Sequence, residues 1–181
     1  MKKSINYLVI VVLAIVSVSC SSEASLQKYY IDSQEDKNFL SIDIPASIIS
    51  LKDEVSPEAA EAYKSLRKMN LLAFKKNEVN EAEFLIEKKK VSAILKNNKF
   101  KELMRMKDKG RDIVIKYEGD DESMDEVIVY ASDKTQGFAL VRILGDNMKP
   151  EKIMKLIGDV QDIDGGSSMV KQLQGFIKSE L

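Results

Sequence analysis

"RDIVIKYEGDDESMDEVIVYASDKTQGFALVRIL", Arg111 to Leu144, alternates apolar and polar residues in three runs separated by turn-forming residues. Ile113, Ile115 and Tyr117 fall on one face of the first run, and Val127, Val129 and Ala131 on one face of the second. This period of two predicts strands at 112–117, 126–132 and 138–144, the last two joined by a turn through Asp133 to Gly137. Upstream, Glu102 to Lys107 supplies a fourth strand before the turn Asp108-Lys109-Gly110. Consecutive strands joined by short turns usually pair, so the second half of the chain is expected to be a β-meander.

Working toward the amino end, the period changes. Asn97-Asn98 closes a helix predicted over 81–97, with Phe84, Val91 and Leu95 on its inner side. Met69 to Phe74 predicts a strand. Ser56-Pro57-Glu58 marks a helix start reaching about Arg67: the serine accepts orphan amide bonds, proline has the right φ, and glutamate meets the positive end of the dipole. Leu40, Ile42 and Ile44 alternate up to Pro45, a half-buried strand, followed by a helical turn within Ala46 to Leu51. Leu26, Tyr29, Tyr30 and Ser33 recur at helical spacing, which predicts a first helix over 25–36.

Toward the carboxyl end, Pro150 opens a helix with Ile153, Leu156, Ile157 and Val160 at core spacing. Gly165-Gly166 then breaks the chain before an amphipathic stretch bearing Met169, Leu173, Phe176 and Ile177. The fold class is therefore α+β: an antiparallel-rich sheet with a β-meander in the carboxyl-terminal half and helices packed mainly on one face.

The amino terminus carries an address. Met1-Lys2-Lys3 is followed by the apolar run Tyr7 to Val18, the small Ser19 and Cys20, the one cysteine of 181 residues. Twelve residues of helix cover only ~18 Å of a ~30 Å hydrocarbon core, so a cleaved export signal is expected here and not a membrane span. Cys20 then resembles the lipidated residue of a bacterial lipoprotein. The expected organisation is a signal at residues 1–19, a short tether at 20–25, and a single α+β domain at 26–181 ending in the amphipathic helix. With no second cysteine, apolar burial must hold the domain together.

Charge is uneven along the chain. Residues 64–111 hold 15 Lys/Arg against 6 Asp/Glu, whereas residues 112–164 hold 6 against 13. Lys88, Lys89, Lys90, Lys96, Lys99, Lys101 and Arg105 are the candidate contacts with an anionic surface or an acidic protein, set against the simpler reading of a solvated helix face. Nucleic acid is not expected as the partner of an exported lipoprotein.

Chemistry is sparse. The chain has no histidine, which removes the Ser-His-Asp and Cys-His arrangements and the commonest zinc ligand. Ser65-Leu66-Arg67-Lys68 fits Ser-x-x-Lys, but its companion motifs overlap within 132–136, where Gln136 stands in place of the required glycine. The acidic run from Glu118 to Glu126 and the loop Asp162-Ile163-Asp164-Gly165 both lack the ligand order of a calcium loop. No catalytic residue, metal ligand or cofactor is assigned.

The segments "FKELMRMKDKGRDIVIKYEG", "MDEVIVYAS", "FALVRILGD" and "PEKIMKLI" resemble the bacterial lipoproteins grouped as domain of unknown function 4252, over nearly all of residues 26–160. The resemblance implies a Gram-negative envelope lipoprotein and brings no catalytic residues. The function expected is that of a non-enzymatic interaction or sensory and accessory module, lipid-anchored in the outer membrane on its periplasmic face, with an envelope protein as possible partner. The alternatives are a carboxylate-dependent cell-wall hydrolase and a lipid carrier with an apolar cavity.

Overall fold

The computed structural model describes residues 25–48, 56–108 and 110–159. The expected export signal, Cys20 and the amphipathic stretch beyond Gly166 lie outside the described residues. Six strands form one antiparallel sheet: β1 (Phe39–Pro45), β2 (Leu66–Lys75), β3 (Lys101–Asp108), β4 (Arg111–Gly119), β5 (Met124–Asp133) and β6 (Gly137–Met148), in the order β1-β2-β6-β5-β4-β3. The expected meander β3-β4-β5-β6 is present, and β2 adds to it through β6. Ile113, Ile115 and Tyr117 stand directly opposite Ala131, Val129 and Val127, as the period of two requires. The architecture is α+β.

Four helices accompany the sheet among the described residues: α1 (Leu26–Ser33), α2 (Pro57–Ser65), α3 (Glu81–Ile94) and α4 (Pro150–Asp159). A 3₁₀ turn at Ala46–Ile48 supplies the expected helical turn after β1. The helices divide two and two between the faces, which corrects the expectation that they lie mainly on one. Leu26, Tyr29 and Tyr30 of α1 and Phe84, Val91 and Ile94 of α3 pack on Leu72, Phe74, Ile128, Tyr130, Phe138 and Leu140. Ala59 and Ala62 of α2 and Ile153 and Leu156 of α4 pack on Ile115, Tyr117, Val127 and Met148. Ile128 and Val127 are adjacent in one strand and point to opposite faces, so both faces of β5 carry core. Further along the second face, Ile42, Ile44 and Leu71 form a smaller buried cluster.

The first face is filled by aromatic rings. Phe39 meets Phe74 edge-on at 5.1 Å, and Phe74 stacks on Phe138 at 5.6 Å, with Phe84 and Tyr130 alongside. Such offset and edge contacts add about 0.5–1.5 kcal/mol per pair to the area they bury. The turn between β5 and β6 must pass close to β2. Gly137 has φ +121°, and a Cβ there would lie 2.0 Å from the Phe74 carbonyl oxygen, so no larger residue fits.

Two helix ends differ from expectation. α2 stops at Ser65, because Leu66 is already extended and pairs with Gly145 of β6, so the helix runs into β2 without a loop. α3 ends at Ile94 with Leu95 as its cap, three residues short of Asn97. Its start at Asn80 has no side-chain cap. That amide instead donates to the Lys75 carbonyl at 2.9 Å and accepts from the Asn77 N–H at 2.8 Å, holding the β2–α3 connection closed.

Candidate functional site

α1 and α3 both pack on the first face and border a groove of about 450 Å³, whose lining includes Ser25, Tyr29, Phe39, Glu87, Lys90 and Ile94. α1 is held there by a serine cap, Ser25 accepting from the Lys28 N–H at 3.0 Å, and by its buried Leu26, Tyr29 and Tyr30. In the groove wall the Tyr29 hydroxyl donates to Glu87 Oε2 at 2.9 Å, while Lys90 Nζ reaches Glu87 Oε1 at 2.6 Å. Burial, then the neighbouring Glu87 carboxylate, pushes the Tyr29 phenol far above its ordinary range. The phenol is thus a fixed donor at any physiological pH.

Two further polar groups lie under α1. The Tyr30 hydroxyl donates toward Asp43 Oδ1 at 2.7 Å and accepts from Ser41 at 2.9 Å, and Asn70 donates to the same Asp43 carboxylate. Burial raises the Tyr30 phenol to about 12, with Ser41 opposing and Asp43 reinforcing the rise. Deeper, Arg142 makes a two-pronged contact with Glu126, Nε to Oε1 at 2.7 Å and Nη2 to Oε2 at 3.0 Å, and its Nη1 donates to Gln27 of α1 at 2.7 Å. The Arg142 and Glu126 side chains are only 5% and 10% exposed. A buried pair whose third nitrogen is bonded to Gln27 of α1 is a device that fixes α1 on the sheet. The sequence reading missed it. The signal was an arginine in the run "FALVRIL", on the same face as Leu140.

The structure separates the candidate basic residues into two groups. Lys88, Lys89, Lys90 and Lys96 belong to α3 and its end; Lys99, Lys101 and Arg105 belong to β3 and its approach. Lys88 stands over the Phe84 ring at 5.7 Å and Lys90 is bound to Glu87. Lys99 pairs with Glu118 at 2.9 Å, Lys101 with Asp121 at 2.7 Å, and Arg105 with Glu102 at 2.7 Å. Asp121 also accepts from the Tyr117 hydroxyl at 2.8 Å, and hydrogen bonds from Lys101 and Tyr117 hold its carboxyl below the usual range. Basic and acidic stretches that are distant in sequence are therefore neighbours in space. Lys89 and Lys96 remain exposed, with no ion pair among the described residues.

The other motifs fall apart in three dimensions. The Ser65 hydroxyl donates to the Ala62 carbonyl at 2.6 Å inside α2, and Lys68 lies in β2 opposite Leu144. Ser132 is buried, and Asp133 accepts from the Thr135 N–H and hydroxyl to shape the β5–β6 turn. Among the described residues no group of three or more acidic side chains is gathered in a way that could hold a metal ion.

α3 has a second apolar side that the core does not use. At about 100° per residue, Ala82, Leu85, Ile86, Lys89 and Ala93 fall opposite the buried Phe84 and Val91. Leu85 is 58% and Ile86 56% exposed, and Val79 of the preceding turn is 94% exposed.

A family model described as a domain of unknown function, DUF4252, matches residues 29–156. No curated protein and no solved structure gives a significant match to the chain. The matched segment runs from α1 through α4, and the chain belongs to this family.

Proposed function

We propose that this member of the family is a non-enzymatic interaction module of the cell envelope, held to the outer membrane through lipid on Cys20 and facing the periplasm. The observation that carries the reading is the helical layer of α1 and α3, which offers apolar side chains outward above an interior already filled. Leu85 and Ile86 face solvent while the same helix buries Phe84, Val91 and Ile94. An apolar stripe kept in water is a liability unless something covers it.

The same geometry weighs against the two alternatives. The interior that a lipid carrier would need is occupied by Phe39, Phe74, Phe84 and Phe138 at ring separations of 5.1–6.3 Å. The buried carboxylates that a hydrolase would need are engaged structurally, Glu126 by Arg142 and Glu87 by Tyr29 and Lys90.

Metabolic labelling with a fatty-acid probe tests the anchor. Label is expected on the wild-type chain and not on Cys20→Ala, which should leave the membrane pellet. A wild-type chain that takes up no label and washes off the membrane overturns the anchored reading. Crosslinking in intact membranes tests the interaction: reproducible adducts to an envelope protein are expected, and turnover of purified cell-wall polymer by the isolated chain would overturn the non-enzymatic reading.

A further inference from the structure

Resting on the anchored reading, we infer that the outer stripe of α3 lies on the bilayer surface, with Leu85 and Ile86 set between headgroups and Lys89 and Lys96 against lipid phosphates. Three observations converge on this occupant.

The first is the character of the stripe. It is about 17 Å long from Ala82 to Ala93 at ~1.5 Å per residue, matching a helix that lies flat. Its amino-terminal half is apolar and its carboxyl-terminal half carries Lys89, with Lys96 continuing the line beyond the helix end. Lys88 and Lys90 sit about 100° to either side. Long basic side chains flanking an apolar stripe can run their methylenes along it and leave their charge among headgroups.

The second is charge. Lys99, Lys101 and Arg105 are each matched by a nearby carboxylate, whereas Lys89 and Lys96, on the stripe's own line, are exposed. Near an anionic leaflet each such basic residue adds to the attraction.

The third is the attachment point. Tyr29 bonds Glu87 and Asn38 bonds Glu83, so the two segments run in opposite directions and α1 begins toward the carboxyl-terminal half of α3, with Ser25, Ala93 and Ile94 all lining the groove. Four residues lie between Cys20 and Ser25, so the five steps from one to the other span at most ~18 Å of extended chain. Lipid on Cys20 would bring that end of α3, with Lys89 and Lys96, to the membrane surface, and Leu85 and Ile86 lie about one turn from Lys89 along the same line.

Because Cys20 is the one cysteine and is consumed by lipid, a cysteine introduced elsewhere is the single free thiol. The full lipidated chain, as Ile86→Cys or Glu151→Cys, is labelled with an environment-sensitive fluorophore. It is then reconstituted in vesicles of phosphatidylcholine and phosphatidylglycerol containing spin-labelled lipid. Glu151 lies on α4, across the sheet from α3. Quenching of twofold or more is expected at position 86 and none at 151. In the Leu85→Glu background, quenching at 86 should fall at least twofold while flotation with vesicles persists, since an exposed side chain is replaced. If the Ile86→Cys chain floats with the vesicles but is no more quenched than the Glu151→Cys chain, bilayer docking is wrong while anchoring stands. A chain that does not float overturns both. Emission shifted as if buried but insensitive to the spin-labelled lipid assigns the stripe to a protein contact and also overturns the proposal.

Discussion

Tyr30 links α1 to β1 and β2 through one hydroxyl, and its titration offers a direct readout. Its phenol is raised to about 12 from an ordinary 10, burial being the main cause. The folded chain therefore holds this proton more tightly than the unfolded one. The stabilisation is complete below about pH 10 and is lost as pH rises toward 12, a span worth roughly 2–3 kcal/mol. Melting temperature measured from pH 9 to 12 should fall, and Tyr30→Phe should lessen that fall, to which the buried Tyr29 also contributes, while costing about 1 kcal/mol at pH 7. An unchanged slope in the variant would refute the assignment. Arg142 and Glu126 give a second test. Arg142→Met alone strands a buried carboxylate and should cost about 3–5 kcal/mol in urea unfolding, whereas pairing it with Glu126→Leu should recover much of the loss. Equal losses in single and double variants would show that the pair does not act as a unit. At this scale the sequence was uneven. The basic residues were visible, but whether each is free depends on strand register: Lys101 stands opposite Tyr117 in the β3–β4 pairing, which carries it to Asp121. Extended without interruption from Asp108↔Arg111, that register would set Lys101 opposite Glu118; a shift between Glu102 and Met104 moves it to Tyr117, and neither this irregularity nor the Arg142–Gln27 contact, which spans 115 positions, was legible in the sequence.

Among the elements, α2 has the start that local rules demand. Ser56 accepts from the Ala59 N–H at 3.2 Å, Pro57 occupies the first turn and Glu58 meets the dipole. Ser56→Ala should lower stability by about 1 kcal/mol, measured by thermal or urea unfolding, and a neutral result would mean that docking on α4 and not the cap holds the helix start. Strands and helices were largely legible because each carries its own period and punctuation. Where the expectation failed, tertiary contact prevailed over local pattern: Leu66 leaves the helix because β6 offers it a partner. The division of helices between two faces was also written in the sequence, in "EVIVYAS". Val127 to Ala131 is apolar at every position, the mark of a strand covered on both sides, whereas reading only alternate residues suggested one covered face. α3 hid its second role for a related reason: apolar residues on both its sides blur the amphipathic pattern that would mark one as outward.

For the whole molecule, the sheet order sets where stability resides. β6 is paired on both sides, by β2 and β5, while β1 and β3 are edges. Amide exchange measured by mass spectrometry should be slowest over 138–144 and fastest in β3, and equal protection of the two would contradict the order. The edges are guarded differently: β3 carries Lys101, Glu102, Arg105 and Lys107, and β1 ends in Pro45, both unfavourable to adding a foreign strand. The pairing of β2 with β6 has a consequence in time. In a chain that emerges amino end first, β2 has only β1 beside it until residues 137–148 appear, more than sixty positions later. The aromatic layer cannot assemble before then, because Phe138 is one of its rings. Such long-range closure delays folding. Under the export proposed for this chain, that delay would be protective: the sheet closes through β6 only after nearly all of the domain has passed the channel.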